Sequence, residues 1–351
     1  MTDGVANNYS LSDPAFPASV TSAANRRPAT PIGDSAGDSA GGAAASGVLV
    51  VVNSKAGSGR GRRTADAAIS AIRGRGFSVH EVQDLRNLKQ LAAELAAAGD
   101  LRAAVAVGGD GTVGAILNET PPGTPIGVVP AGTENLLAKY TGLRVTGGEI
   151  AGLLERGVVV QMDAGCAGDR LFALMISAGF DAEVVRKVHA HRDGNITHLA
   201  YAKPILDAVC TYPYPAMRVS WTDRDGAEQQ TTGRWVFGVN LPRYAQGLPI
   251  VPEASGVDRL LDVCVFRRGG TAAGLWYLWN ILRRRRQKVE SVTTARCGRF
   301  RIESDEPNVA YQLDGDPGGV LPVEVSVAPC RLSLLVSRSA AERLGFDTAA
   351  V

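Results

Sequence analysis

The stretch VAVGGDGTVGAILNE, residues 105–119, sets an apolar run against clustered glycines and one carboxylate, Asp110, then turns at once into an apolar helical pattern. Two other glycine-bearing stretches have the same placement. NSKAGSGRG, residues 53–61, follows the run VLVVV, and PAGTEN, residues 130–135, follows IGVV. Glycine lets backbone come close to a ligand, and successive N–H groups at a helix N-terminus form an anion site. Phosphate is the occupant this chemistry fits. Any one such loop could be a tight turn and nothing more, but three at the carboxyl edge of one parallel sheet converge on a single crevice.

Two familiar phosphate-binding patterns can be tested against the first loop. GxxxxGK[ST] counted from Gly57 puts Arg62 and Arg63 where glycine and lysine are needed, which excludes a P-loop. GxGxxG begun at Gly57 and Gly59 meets Arg62 at its third glycine. Glu81 stands at a tolerable distance for a ribose ligand, so a nicotinamide-dependent oxidoreductase is a minor alternative.

The elements that would position these loops are legible as β-branched runs alternating with Ala/Leu/Arg helical stretches. Strands are expected near 48–52, 77–82, 103–107 and 126–129, with helices near 62–74, 86–98, 112–118 and 134–140. Beyond residue 163 short β-type runs dominate, among them RLFALMISAG, RWVFGVN and LLDVCVF. The fold class expected is α/β: an N-terminal parallel-sheet, Rossmann-like nucleotide domain followed by a mainly antiparallel β domain. Residues 1–46, rich in Ala, Ser, Gly and Pro, lack apolar periodicity and are expected to form a disordered arm.

With 45% hydrophobic and 21% charged residues, the 351-residue chain can bury a sizeable core. No apolar run reaches the ~18 residues of a membrane span, and the N-terminus has no secretory pattern, so a cytoplasmic location is expected. The five cysteines (Cys166, Cys210, Cys264, Cys297, Cys330) are odd in number and lack CxxC pairing, which argues against both a disulfide framework and a zinc site. His189, His191 and His198 read as a solvated polar loop rather than a metal site, and Lys203 as a surface lysine. A net charge of +2 gives no reason to expect nucleic acid as a partner. LWYLWNILRRRRQK joins an aromatic, apolar face to Arg283, Arg284, Arg285 and Arg286. It reads either as a core-packed helix with a basic end or as an interfacial helix giving peripheral contact with the inner membrane surface.

In order and spacing, NSKAGSG, GGDGT and PAGTENLLAKYTGL resemble the diacylglycerol kinase catalytic domain family, which includes bacterial lipid kinases and sphingosine kinases and is related to NAD kinases. The resemblance continues through VVVQMDAGCAGDRLFALMISAGFDAEV, through PEASGVDRLLDVCVF as a degraded metal-binding segment, and through YQLDGDPGG as the late acidic motif, usually DGE. It runs from about Val48 to Val336. It implies a lipid kinase using ATP and Mg²⁺, with a nucleotide domain over 47–162, a lipid-binding domain over 163–327 and a C-terminal segment, 328–351, that can return to the first domain.

Carried over by position, the resemblance has Asn53, Lys55, Gly108, Gly109, Gly111, Thr112, Gly132, Thr133 and Asn135 lining the nucleotide. Asp110 would bear on Mg²⁺ or hold the loop's shape. Asp163 would deprotonate the lipid hydroxyl, and Asp314 and Asp316 match the DGE acids. Asp258 is the acid that survives in the metal segment, where Val257 and Arg259 replace Asp and Gly. Gly114 and Ala115 stand where the family has Asn and Glu. These departures keep two alternatives open: an NAD kinase-like enzyme, and a catalytically weak lipid- or nucleotide-binding module. Neither the identity of the lipid nor the oligomeric state follows from the sequence.

Overall fold

The computed structural model describes residues 27–33, 45–52, 60–190, 212–223, 225–244, 248–282 and 291–349. A short strand β1 (Thr30–Pro31) precedes the parallel strands β2 (Gly47–Val52), β3 (Ser78–Val82), β4 (Leu101–Gly108) and β5 (Ile126–Pro130). Between and after them lie α1 (Arg60–Arg73), α2 (Leu88–Ala97), α3 (Asp110–Glu119), α4 (Leu136–Thr141) and α5 (Ile150–Arg156). The parallel strands are ordered β3-β2-β4-β5, so the chain leaves β2 toward opposite sides of the sheet. The carboxyl ends of β2 and β4 therefore flank a switch point, where an open α/β sheet leaves a crevice.

Alternation along the strands builds a core on each face. Val48, Val50, Val105 and Val107 pack with Ala65, Ile69 and Ile72 of α1. Leu49, Val51, Ala104 and Ala106 pack on the other side with Leu88, Val113, Ile116 and Leu117 of α2 and α3. Strands buried on both faces read as continuous apolar runs, and VLVVV is one.

The second half begins with β6 (Val158–Ala167), β7 (Arg170–Phe172) and β8 (Met175–Ala178), then α6 (Phe180–Ala190). Next come β9 (Met217–Thr222), β10 (Glu228–Gly233), β11 (Trp235–Val239), β12 (Arg243–Tyr244), β13 (Leu248–Pro249), β14 (Leu261–Phe266) and α7 (Thr271–Leu282). The chain ends through β15 (Val292–Cys297), β16 (Arg299–Glu303), β17 (Ala310–Leu313), β18 (Asp316–Val320), β19 (Val323–Val336) and α8 (Arg338–Arg343). An antiparallel sheet, β15-β14-β11-β8-β17-β18, faces the extension β10-β9-β16 of the first sheet. Ile176, Val236, Val263 and Val265 from one side meet Met217, Val219, Phe300 and Ile302 from the other. This is sandwich packing.

The 14-residue strand β19 joins the halves. Its first part pairs with β16 and its last part lies parallel to β5, while β6 runs antiparallel along most of its length. The expectation of a disordered arm through residue 46 fails at 27–33, where Thr30 and Pro31 pair with Val159 and Val158 of β6. An otherwise open sheet edge gives this segment backbone partners, and Ala29 and Ile32 join the core.

Candidate functional site

The GGDGT loop closes around its own acid. Asp110 opens α3, and its carboxylate accepts the backbone N–H groups of Leu136 (2.9 Å) and Leu137 (3.0 Å), the first residues of α4. A helix start leaves orphan N–H groups, so one carboxylate satisfies two of them and ties the second glycine loop to the third. Burial pushes the Asp110 carboxyl up, and these two N–H groups act against that push. Asn135, in the left-handed region at φ 49°, completes the clamp. Its Oδ1 accepts Gly132 N–H and its Nδ2 donates to Gly132 O, at 3.0 and 2.8 Å.

The glycines explain the clamp's closeness. A Cβ on Gly132 would lie 2.5 Å from the Gly109 Cα, so the two loops are in backbone contact. We expect Gly132→Ala to force them apart at a cost of about 1–3 kcal/mol, read as a lower melting point of the purified protein. An unchanged melting point would refute the contact. Gly111 differs, because its Cβ would stand 3.4 Å from Asp316 Oδ2. Thr112 does not line the crevice as expected. It is 3% exposed, and its Oγ1 lies 2.2 Å from where a Cβ on Gly108 would be, so it supports the loop from beneath.

The two late acids have different environments. Asp314, at φ 52°, accepts the N–H groups of Ala173 (2.6 Å), Leu174 (2.8 Å) and Met175 (2.9 Å), fastening the β17–β18 turn to the start of β8. Burial pushes its carboxyl up to about 7, the three N–H groups oppose this, and the negative charge of Asp110 adds to it. Asp316 is 47% exposed and lies 3.5 Å from His189 Nε2. Asp110, Gly111, Asp314, Asp316 and His189 therefore converge where the glycine loops meet the second domain.

His189 corrects the loop expected there, since it stands in the last turn of α6. The helix was foreshadowed by acids in its first turn (Asp181, Glu183) and bases in its last (Lys187, His189), the arrangement a helix dipole favours. Its first turn is pinned through Asp181, whose carboxylate accepts Trp235 Nε1–H at 2.6 Å and the Ser177 hydroxyl.

Asp163 does not belong to this constellation. It is fully buried in the middle of β6, opposite the register shift in β19, and four donors take its carboxylate: Arg27 Nη1 (3.0 Å) and Cys330 N (3.0 Å) on Oδ1, Arg27 Nη2 (3.3 Å) and Arg259 N (2.8 Å) on Oδ2. Its backbone is fixed as well, N–H to Gly256 O and C=O from Asn240 Nδ2. A base must reach its substrate, and this carboxylate reaches only protein. The expected role for Asp163 is corrected to that of a structural junction.

Asp258 is likewise not a metal ligand. Its carboxylate accepts Leu260 N–H (3.0 Å) and pairs with Arg296, whose Nε lies 3.2 Å from buried Asp262. Burial pushes the Asp258 carboxyl up, while Leu260 and Arg296 favour its charge. A guanidinium already supplies the positive charge, and among the described residues no group of three or more His, Cys, Asp or Glu side chains could hold a metal ion. A resident cation does not fit here. Adding EDTA to the purified protein should leave its melting temperature in place, whereas Arg296→Ala should cost about 1–3 kcal/mol by removing the cation that Asp258 and Asp262 share. A melting point that falls on chelation would restore the metal.

Asn53, Lys55, His191, His198, Lys203 and Arg283 to Arg286 lie outside the described residues. Asn118 joins α3 to β7 by exchanging two hydrogen bonds with Leu171 (2.8 and 2.9 Å).

Residues 47–167 match the diacylglycerol kinase catalytic domain, and residues 174–336 match the YegS C-terminal NAD kinase beta sandwich-like domain. A diacylglycerol kinase of Mycobacterium tuberculosis (strain ATCC 25618 / H37Rv) is 28% identical over 306 residues, which is 83% of this chain and 95% of that protein. A diacylglycerol kinase of Bacillus subtilis (strain 168) is 23% identical over 259 residues, covering 72% and 84%. A crystal structure of a diacylglycerol kinase from Bacillus anthracis str. Sterne superposes with TM-score 0.60 at 19% identity, covering 84% of this chain and 98% of that one, so the two share a fold. With clamped glycine loops at a sheet switch point, a late acidic turn beside them and both halves matched in order, residues 47–167 form a diacylglycerol kinase catalytic domain and residues 174–336 the beta sandwich-like domain that follows it.

Proposed function

We propose that this protein transfers the γ-phosphoryl group of ATP to a hydroxyl of diacylglycerol or a related lipid, with Asp316 as the base. The observation that carries the reading is the exposed carboxylate of Asp316 beside Gly111, in the first turn of α3. Phosphoryl transfer asks for positioning, neutralisation of charge and one group to accept the hydroxyl proton. The N-terminal turn of α3 suits phosphate by its dipole and its glycines.

The donor set also fits Mg²⁺ carried by the nucleotide, which takes one or two carboxylates and otherwise phosphate and water. Each Asp110 oxygen accepts a single N–H from the next helix, so lone pairs remain for the ion or a water bound to it. When bound, the ion neutralises charge developing on the transferred group. Asp316 would take the proton of the lipid hydroxyl, and His189 would hold that carboxylate in place.

Purified protein with labelled ATP and Mg²⁺, offered diacylglycerol in mixed micelles and separately NAD⁺, tests the reading. Label should enter the organic phase. Label in NADP instead, or in no acceptor across a panel of membrane lipids, would overturn it.

A further inference from the structure

α7 has two unlike faces. Tyr277 is 1% exposed, its hydroxyl accepts Arg268 N–H (3.0 Å) and meets Ser291 Oγ (2.9 Å), and its ring packs edge-on against Phe266 at 4.6 Å. Trp276 and Trp279, three residues apart and so neighbours on the helix surface, are 41% and 54% exposed. They are the two aromatic members of the exposed large hydrophobics among the described residues. The Arg268 guanidinium lies 6.0 Å from the Trp276 ring.

Charge indicates what would cover this face. Residues 267–288 hold six arginines, one lysine and no acid, in a chain whose formal net charge is only +2, so the remainder of the chain is net negative. The exposed pair Arg267 and Arg268 precedes the helix, and the run Arg283 to Arg286 follows it in sequence. Indole rings favour the headgroup layer, being apolar in body with one N–H donor. Cations beside them favour anionic lipid. No helix among the described residues is long and apolar enough to cross a membrane, so α7 would have to lie on the surface.

The face also connects with the site. Rings pass from Trp276 to Tyr277, Phe266, Trp235 and Phe180 at centroid separations of 4.6–6.0 Å. Phe180 begins α6, whose far end carries His189 beside Asp316, about 14 Å along the helix.

We propose that the Trp276/Trp279 face of α7, flanked by Arg267 and Arg268, docks this protein on an anionic membrane surface. The proposal rests on the lipid-kinase reading for its purpose, since a diacyl substrate resides in a bilayer. Its test needs neither ATP nor turnover. Sedimentation with phosphatidylcholine vesicles, alone or with phosphatidylglycerol, should show binding only to the anionic set, weakening as salt rises. The double variant Trp276→Ala/Trp279→Ala should bind at least about tenfold more weakly, because partition scales with buried apolar area. Alanine favours helix and both positions are exposed, so the circular dichroism melt should match wild type. Blue-shifted tryptophan emission on vesicle addition should disappear in that variant.

Equal vesicle binding by wild type and variant would overturn the proposal, as would a wild type that ignores anionic vesicles. Self-association abolished by the same variant, without vesicle binding, would assign the face to a second copy and also overturn it. The two readings fail separately. Vesicle binding without phosphorylation of any lipid removes the kinase and leaves the docking face. Phosphorylation of micellar lipid without vesicle binding does the reverse.

Discussion

Asp316→Asn should lower lipid turnover by about 10²- to 10⁴-fold, the range for loss of a general base, while ATP affinity stays within a few-fold of wild type. The substitution keeps the side chain's shape while removing its negative charge and its capacity to accept a proton. Asp316 is 47% exposed, and its contact with His189 at 3.5 Å is long, so little folding stability depends on it. The neighbouring acids should behave differently. Asp314→Asn would place an amide NH₂ among three backbone donors and lose stability rather than chemistry. Asp110→Asn would present a donor to Leu136 or Leu137 and loosen the clamp on α4, which should appear first as weaker nucleotide binding. Steady-state kinetics with calorimetric ATP titration separates the three. If Asp316→Asn turns over lipid within a few-fold of wild type, the base is elsewhere.

The local features of the fold were readable in the sequence, and the long-range ones were not. The parallel strands at 47–52, 101–108 and 126–130 are buried on both faces and so appear as apolar runs, and the glycine loops follow them directly. That was enough to locate the crevice. Asp163 misled because its position after VVVQM gives the domain junction but not its partners, which lie 96, 136 and 167 residues away in sequence. No short window contains the information that a carboxylate is surrounded. The same distance hid the pairing of Asp258 with Arg296, 38 residues on, and the approach of His189 to Asp316 from another element. α6 was not among the expected helices: its β-branched valines, Val184, Val185 and Val188, are poor helix formers, and the favourable signal lies in the charges at its two ends. Runs 323–327 and 331–336 read as two strands and form one, with a register shift between Ala328 and Leu332.

The ion pair between Arg27 and Asp163 should carry the largest effect on folding. Arg27 Nη1 and Nη2 reach both oxygens of a carboxylate that is 0% exposed, and Nη1 also donates to Gln161 O at 3.1 Å. Removing the guanidinium leaves a buried charge with the N–H groups of Cys330 and Arg259 as its remaining donors among those described. Breaking one side of a buried pair costs about 3–5 kcal/mol, against a total of roughly 5–15 kcal/mol for a typical domain. The 19% exposure of the Arg27 side chain lets water reach part of the pair and favours the lower end of that range. Arg27→Ala should therefore unfold at markedly lower urea. Asp163→Asn removes the charge that makes the loss expensive, so Arg27→Ala should cost much less in that background, and the double-mutant cycle should give a coupling of at least about 1 kcal/mol. Folded Asp163→Asn should retain lipid turnover, because the carboxylate holds the segment at 27–33, the turn at Arg259 and the bulge at Cys330 rather than a substrate. Additive single effects in urea, or an Asp163→Asn protein of wild-type stability that has lost turnover, would return Asp163 to the reaction.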